Sequence, residues 1–258
     1  MFAEERLIRI VEMVNQNGKV TVAELSHALD VSFVTIRRDL ERLEEEKLLC
    51  RTHGGALSLE KGVLNSAGEK SFSEKEEAFT AEKERIAEAA ARLVEDEDAI
   101  LLTPGTTNML LVSKLLGKKD LTIVTNASNI AMRAAGVPGW NVILTGGKIR
   151  PKSYALVGPL AENSLSGIRV DKLFLGVDGI DFTQGLTTPN LEEASVNRKM
   201  ISLARQIIVV ADRSKFGRVM FSHIANLTEV DIIVTDRLLP EDATDFINKE
   251  TDIKLILA

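Results

Sequence analysis

Residues 31–57 constrain the fold of this chain more than any other stretch. A helix beginning near Ser32 would place Ile36, Leu40 and Leu43 on one face, toward a domain core. The two adjacent arginines of that helix would lie outside this face. A Gly-Gly pair farther along predicts the tip of a hairpin. A short amphipathic helix followed by a small wing is a shape that fits against a DNA duplex.

Two further helices are predicted before this segment. Apolar residues recur at the spacing of one helical face between Leu7 and Val14. Thr21 and Glu24 have the spacing of a capping box, which predicts a second helix over about Val22–Leu29. Three helices and a hairpin within about 60 residues are the plan of a winged helix-turn-helix domain.

The rest of the chain predicts an α/β fold. From Ala99 onward, short apolar runs alternate with helical stretches, which favours a largely parallel sheet covered on both faces. We therefore expect an N-terminal winged helix-turn-helix domain over residues 1–59, a polar linker over 60–77 and an α/β domain over 78–258. The strand candidates are 99–102, 122–125, 141–144, 172–175, 207–211, 232–234 and 254–257.

Composition limits the class of protein only loosely. The net charge is −6, and the first 60 residues carry eight basic and eleven acidic side chains, which argues weakly against DNA binding. Cys50 is the only cysteine, so an internal disulfide is excluded and a reducing compartment is expected. The sequence contains neither a signal-peptide pattern nor an apolar run of the roughly 18 residues that a membrane span needs, so we expect a cytoplasmic protein.

The outward face of the third helix suits the major groove of DNA. Arginine can pair with guanine or phosphate, a small apolar side chain can contact a thymine methyl, and hydroxyls at the helix start can bond phosphate. The charge pattern alone is equally typical of a solvated helix face, and the order and spacing of the residues favour DNA. The candidate DNA contacts are Ser32, Phe33, Val34, Thr35, Arg37, Arg38, Arg51, His53, Gly54 and Gly55.

Four polar clusters follow predicted strands, at the sheet edge where α/β proteins bind ligands. Glycine and hydroxyls at a helix N-terminus suit a phosphate, and the aspartates could hold sugar hydroxyls or act as a base. Ordinary turns, N-caps and solvated cations explain the same residues, so both interpretations stay open. The candidate effector contacts are Gly105, Thr106, Thr107, Asn126, Gly146, Gly147, Lys148, Asp178, Asp181, Thr187, Glu193 and Lys215.

Two sets of ordered motifs identify a family. In the first half of the chain they are V20-T-V-A-E-L, V31-S-F-V-T-I-R-R-D-L and R51-T-H-G-G-A-L. In the second half they include E82-K-E-R-I-A, P104-G-T-T, T145-G-G-K-I-R, D171-K-L-F-L-G-V-D-G-I-D and D212-R-S-K-F. On these motifs, both halves of the chain resemble the DeoR-type transcriptional regulators. Lys47 stands where the family usually has glycine, Thr103 where many members have aspartate, and Pro104 would stiffen the proposed phosphate loop.

The resemblance implies a cytoplasmic repressor of sugar catabolism that binds double-stranded operator DNA. Its second domain would be similar to ribose-5-phosphate isomerase and the CoA-transferase-like enzymes, and would bind a phosphorylated sugar as effector. We expect a homo-oligomer, because helix-turn-helix proteins usually read paired half-sites as dimers. No membrane partner, cofactor, metal site or catalytic residue is expected.

Two other classes of function share some of these sequence features. A sugar-phosphate isomerase would need a base and a cation, and Asp178, Asp181 and Glu193 match the relatives' carboxylates. The chain has no lysine between Asp181 and Glu192, however, which favours a pocket that binds without turnover. A winged helix can also bind proteins, but the outward arginine pair favours DNA over a protein surface.

Overall fold

The computed structural model describes residues 3–17, 19–45, 48–52, 55–58 and 69–258. The described N-terminal residues form three helices and an antiparallel sheet in which the third strand lies between the first two. The second and third strands form the predicted wing. These elements are α1 (Ala3–Asn17), β1 (Lys19–Thr21), α2 (Val22–Leu29), α3 (Phe33–Glu45), β2 (Leu49–Thr52) and β3 (Gly55–Ser58).

Packing in this domain explains the orientation of α3. Ile36, Leu40 and Leu43 are buried in one apolar cluster with side chains of α1 and α2, which confirms the predicted inner face. Asp39 of α3 forms an ion pair with Arg6 of α1, in which Arg6 Nε donates to Asp39 Oδ2 at 2.5 Å. The two arginines that precede Asp39 are exposed. The core and this ion pair together leave the basic face of α3 in solvent.

The predicted helix starts are also confirmed. The amide of Glu24 donates to Thr21 Oγ1, and the amide of Thr21 donates to the Glu24 carboxylate at 2.7 Å, forming the capping box of α2. At the start of α3, the amide of Thr35 donates to Ser32 Oγ at 3.2 Å. These bonds satisfy amides that a helix N-terminus otherwise leaves without partners.

A seven-stranded parallel sheet forms the centre of the second domain, in the order β15-β14-β12-β9-β4-β5-β6. All seven predicted strands are confirmed, although β9 begins earlier than expected and β12 is shifted toward the N-terminus. Their bounds are β4 (Ala99–Leu102), β5 (Thr122–Thr125), β6 (Asn141–Leu144), β9 (Val170–Leu175), β12 (Ala204–Val210), β14 (Ile232–Thr235) and β15 (Lys254–Leu257).

Helices cover both faces of this sheet. Alternate strand residues enter opposite apolar clusters: Leu101 packs on one face, while Ile100 and Leu102 pack on the other. In the described ranges, no helix is both long and apolar enough to span a membrane. The helices on one face are α5 (Thr80–Ala91), α6 (Thr106–Lys114) and α7 (Ser128–Ala134), and those on the other are α8 (Pro159–Ser164), α9 (Leu191–Ile201) and α10 (Glu241–Glu250).

Two small sheets were not predicted from the sequence. Their strands are too short to show a period of alternating side chains, so apolar patterning could not reveal them. They are an antiparallel sheet of β10 (Gly179–Asp181), β11 (Gly185–Thr188) and β13 (Ser222–Ala225), and a hairpin of β7 (Lys148–Ile149) and β8 (Leu156–Val157).

The segment predicted as a linker contains a short helix, α4 (Phe72–Glu77). Ser71 and Glu74 form its capping box. The helix buries none of its residues completely, which explains why no apolar face is visible in the sequence. The end of the expected linker is therefore ordered, and it lies against the α/β domain.

Candidate functional sites

The exposed face of α3 carries apolar and basic side chains together. Phe33 and Val34 are 54% and 61% exposed. Arg37 and Arg38 are exposed too, and each follows one of these apolar residues by four positions, so each pair lies on one side of the helix. Such a surface can offer guanidinium groups to guanine or phosphate and apolar atoms to thymine methyls.

The start of α3 and the wing carry the other candidate DNA contacts. The Ser32 and Thr35 hydroxyls lie 2.9 Å apart at the helix start. Arg51 lies in β2, whereas His53 and Gly54 are outside the described residues. Gly55 also has a packing role, because a Cβ there would lie 2.0 Å from the Val20 carbonyl oxygen.

A cavity of about 420 Å³ opens at the carboxyl edge of the central sheet. The segments that follow β4, β9 and β12 form its floor, because parallel strands end at the same edge. The turn before β13 and the helix α4 form further walls. Six of the predicted effector residues line it: Gly105, Thr106, Thr107, Asp178, Glu193 and Lys215.

The N-terminus of α6 faces this cavity. Gly105 precedes the helix with φ of 153°, a value that side chains rarely adopt, and it provides no side-chain cap. Thr106 and Thr107 are almost buried. Asn108 Nδ2 donates to the carbonyl oxygens of Thr103 and Phe174, while its buried Oδ1 lacks a partner among the described residues. The first turn therefore presents amides and hydroxyls that suit an anion.

Thr103, which ends the strand side of this turn, connects it to the loop after β9. It is 1% exposed, and its Oγ1 accepts from the Gly176 amide at 2.9 Å. A Cβ on Gly176 would lie 3.2 Å from the Pro104 carbonyl oxygen, so the loops after β4 and β9 pack closely. Thr103 therefore links the loops after β4 and β9, which form two walls of the cavity.

Asp178 lies between two lysines. Lys75 of α4 donates to Asp178 Oδ1 at 2.7 Å, Lys215 Nζ lies 3.8 Å from the same oxygen, and the Thr188 hydroxyl donates to Oδ2 at 3.2 Å. Burial raises the pKa of Asp178, but the ammonium groups and the hydroxyl outweigh it, so the pKa lies below its ordinary value. Burial lowers the pKa of Lys215, and Asp178 reverses this only in part.

Glu193 belongs to a second ionic cluster at the cavity wall. Arg150 donates to Glu193 and, through both terminal nitrogens, to Glu69, with Nη2 2.6 Å from Oε2. Ser153 donates to the same Glu193 oxygen. Glu193 is therefore held in place by Arg150 and Ser153 and directed toward the cavity.

The other predicted effector residues do not line the cavity. Asp181 accepts from the amides of Thr183 and Gln184, both at 2.9 Å, and so shapes the turn between β10 and β11. Thr187 Oγ1 accepts from the Met220 amide at 2.9 Å, which positions the loop before β13 that does line it. Thr187 therefore supports a wall of the cavity, whereas Asp181 supports a turn that does not line it.

Four predicted residues lie around the β7–β8 hairpin instead. Asn126 donates to the Leu156 carbonyl oxygen at 3.0 Å, and the Gly146 amide donates to Ser164 Oγ at 3.1 Å. A Cβ on Gly147, which has φ of 125°, would lie 2.7 Å from the Val157 carbonyl oxygen. Lys148 forms an ion pair with the partly exposed Glu192 at 2.7 Å. The glycine motif therefore serves backbone packing.

Four lysines of the cavity lining were not predicted from the sequence: Lys70, Lys75, Lys83 and Lys152. Lys75 lies in the expected linker over residues 60–77, where no apolar periodicity or motif marks a ligand contact. Lys83 lies in the matched stretch E82-K-E-R, which could have identified it. Lys83 is 4% exposed and donates to the carbonyl oxygens of Lys75 and Ala78, and burial lowers its pKa.

Comparison with known proteins agrees with this architecture. The DeoR-like helix-turn-helix domain model matches residues 6–62, and the DeoR C-terminal sensor domain model matches residues 78–237. Among solved structures, the chain is similar to ribose 5-phosphate isomerase from Plasmodium falciparum, with a TM-score of 0.38, 17% identity and 52% of each chain covered. That likeness is too partial to bear on function.

Similarity to regulators extends over nearly the whole chain. The chain is 36% identical to the putative aga operon transcriptional repressor of Escherichia coli O157:H7, covering 95% of this chain and 90% of the relative. It is 36% identical to the transcriptional repressor GlcR of Bacillus subtilis, covering 96% and 94%. Because both domain models match in order and these relatives align from end to end, the chain belongs to the DeoR family of helix-turn-helix transcriptional regulators.

Proposed function

We propose that this regulator is a repressor whose affinity for operator DNA is lowered by a phosphorylated sugar bound in the cavity. The exposed Arg37 and Arg38 face of α3 supports the DNA half of this proposal. The relatives named as repressors support the sense of regulation. We assign the DNA contacts to this face, to the hydroxyls at the start of α3, and to wing residues that include Arg51.

The charge of the cavity lining carries the proposal of an anionic effector. The lining has six basic side chains against four carboxylates, so the local balance is positive although the whole chain is negative. A ligand with a phosphate group gains from this field. The basic residues are Lys70, Lys75, Lys83, Lys152, Lys215 and Arg218, and the carboxylates are Glu69, Asp178, Glu193 and Asp212.

Within the cavity, we assign the phosphate to the first turn of α6. Gly105, Thr106 and Thr107 would donate to its oxygens, and Lys215 would supply a positive charge. The sugar hydroxyls would then extend toward Asp178 and Glu193, whose carboxylates accept hydrogen bonds. This arrangement requires a ligand with both an anionic end and a polyol end.

A thermal-shift panel tests this proposal. Triose, pentose and hexose phosphates would be compared with the same sugars without phosphate. A ligand present at 100 times its dissociation constant stabilises the fold by about 2.7 kcal/mol, which a melting curve resolves readily. We expect at least one phosphate ester to raise the melting temperature while its parent sugar does not. Equal shifts from a sugar and its phosphate would contradict the assignment of the phosphate loop.

The oligomeric state belongs to the same proposal. A single recognition helix reads one half-site, and paired half-sites require two helices held at a fixed spacing. We therefore propose a homo-oligomer acting in the cytoplasm on double-stranded operator DNA. Light scattering of the free protein and of its DNA complex tests this, and a monomer in both would contradict it.

A further inference from the structure

Residues 69–79, here called the docking segment, lead directly into α5 of the sensor domain. They follow the helix-turn-helix match at residues 6–62 and run into the sensor match at 78–237. The segment therefore lies between the two matched domains along the chain, next to the start of the sensor domain. The contacts that hold the segment decide whether it can respond to the effector.

Four side-chain contacts hold the docking segment on the sensor domain. Two are ion pairs, one is a ring-to-ring contact, and one is a guanidinium over an aromatic ring. They are Glu69 with Arg150 at 2.6 Å, Phe72 with Tyr154 at 5.4 Å between centroids, Lys75 with Asp178 at 2.7 Å, and Phe79 with Arg213 at 5.1 Å from Cζ to the centroid.

Both ion pairs use groups of the effector cavity. Asp178 is the carboxylate assigned above to a sugar hydroxyl, and its Oδ1 is occupied by Lys75. Arg150 holds Glu69 with one part of its guanidinium and Glu193 with another. A ligand that engages Asp178 and Glu193 must therefore change the surroundings of both ion pairs.

Hydrogen bonds to its backbone also hold the docking segment, because Lys83 of α5 donates to the carbonyl oxygens of Lys75 and Ala78, and Lys152 donates to that of Glu69. The helix α4 has six residues and none of them is fully buried. Isolated helices of this length are not stable in water, so its order depends on these contacts. An ammonium group that loses its partner in a partly buried place carries a desolvation cost, which favours its return to water. Lys75 is in such a place, since its side chain is only 25% exposed.

From this geometry we propose that Lys75 competes with the effector for Asp178, so that effector binding releases the docking segment from the sensor domain. This inference rests on the proposed function. Once released, the segment no longer fixes the position of the DNA-binding domain. Two recognition helices that are not held at the half-site spacing bind a paired operator less tightly. Release of the docking segment would lower DNA affinity when the effector binds, without any rearrangement of the central sheet.

The decisive experiment uses the full-length protein without ligand. Lys75→Glu places a negative charge against Asp178 and should release the docking segment. Hydrogen exchange measures protection of the amides of residues 72–79. Fluorescence anisotropy measures affinity for operator DNA that the parent protein has selected from a random duplex library. Glu77→Gln, an exposed change on the same helix, is the control.

We expect Lys75→Glu to exchange at least tenfold faster over residues 72–79 and to bind operator roughly 5- to 150-fold more weakly, the usual range of allosteric coupling. Glu69→Gln should change both quantities in the same direction but less. Parent-like protection in Lys75→Glu would overturn the proposal, because the ion pair would not hold the segment. Lost protection with parent-like operator affinity would overturn it equally, because release would not reach the DNA.

A second measurement separates this proposal from the proposed function. Ribose 5-phosphate and inorganic phosphate serve as probes with the parent protein, and exchange is followed at both the first turn of α6 and residues 72–79. Protection gained at α6 together with protection lost at 72–79 supports release. Protection gained at both places refutes release while leaving the effector site intact. The ligand-free comparison above decides the role of Lys75 whether or not these probes bind.

Discussion

Replacing Thr106 by valine tests the phosphate loop most cleanly. Thr106 is the first residue of α6, lines the cavity and is 8% exposed as a whole residue. Valine keeps the branched shape and removes only the hydroxyl. A hydrogen bond to a charged group contributes about 1.5–3 kcal/mol. With about 1.4 kcal/mol per tenfold in affinity, the variant should bind its sugar phosphate roughly 10- to 150-fold more weakly.

Isothermal titration calorimetry of Thr106→Val measures this loss, with the sugar phosphate that stabilises the parent most. The ligand-free operator affinity should match that of the parent, because Thr106 lies in the sensor domain. Thr122→Val is the matched control, since Thr122 begins β5 at the opposite end of the strand from the cavity edge. Parent-like ligand affinity in Thr106→Val would refute the placement of the phosphate at the first turn of α6.

Three further predictions concern the recognition helix, the wing and acid stability. Arg38→Ala should weaken operator binding by about 1–3 kcal/mol without changing the melting temperature, as measured by anisotropy and calorimetry. Gly55→Ala should destabilise the DNA-binding domain in urea unfolding, because its Cβ would lie 2.0 Å from the Val20 carbonyl oxygen. The pKa of Asp178 lies below its ordinary 3.8, so its ion pair stabilises the fold above that pH, and this contribution is lost as the pH falls through the folded-state pKa. Urea midpoints between pH 6 and pH 3 should therefore fall less in Asp178→Asn than in the parent, and an equal fall would contradict the pairing.

The central sheet could be predicted from the sequence because each of its strands is a short apolar run. In β4, for example, Ile100, Leu101 and Leu102 are all fully buried, since neighbouring side chains enter the clusters on opposite faces. The orientation of α3 was predictable for a similar reason, because Ile36 and Leu40 recur at helical spacing. Local pattern is sufficient wherever burial follows the period of the backbone.

The docking segment could not be predicted in this way. Lys75 and Asp178 are 103 positions apart, and nothing near either residue in the sequence signals the other. Asn126 and Gly147 show a different difficulty, because their motifs were visible in the sequence but their roles were not. Each was a reasonable ligand contact by residue type, but the structure uses them to position the β7–β8 hairpin. A polar or glycine motif at a strand end thus identifies the right edge of the sheet without identifying which residues face the cavity.

The central claim is that the cavity and the DNA-binding surface are thermodynamically coupled. Its most direct test is to measure operator affinity with and without a saturating sugar phosphate, and sugar phosphate affinity with and without saturating operator. Linkage requires the two ratios to be equal, and a ratio of about 5 to 150 is typical of allosteric regulators. We predict equal ratios in this range, with each ligand weakening the other. A sugar phosphate that binds the cavity and leaves operator affinity unchanged would contradict the account.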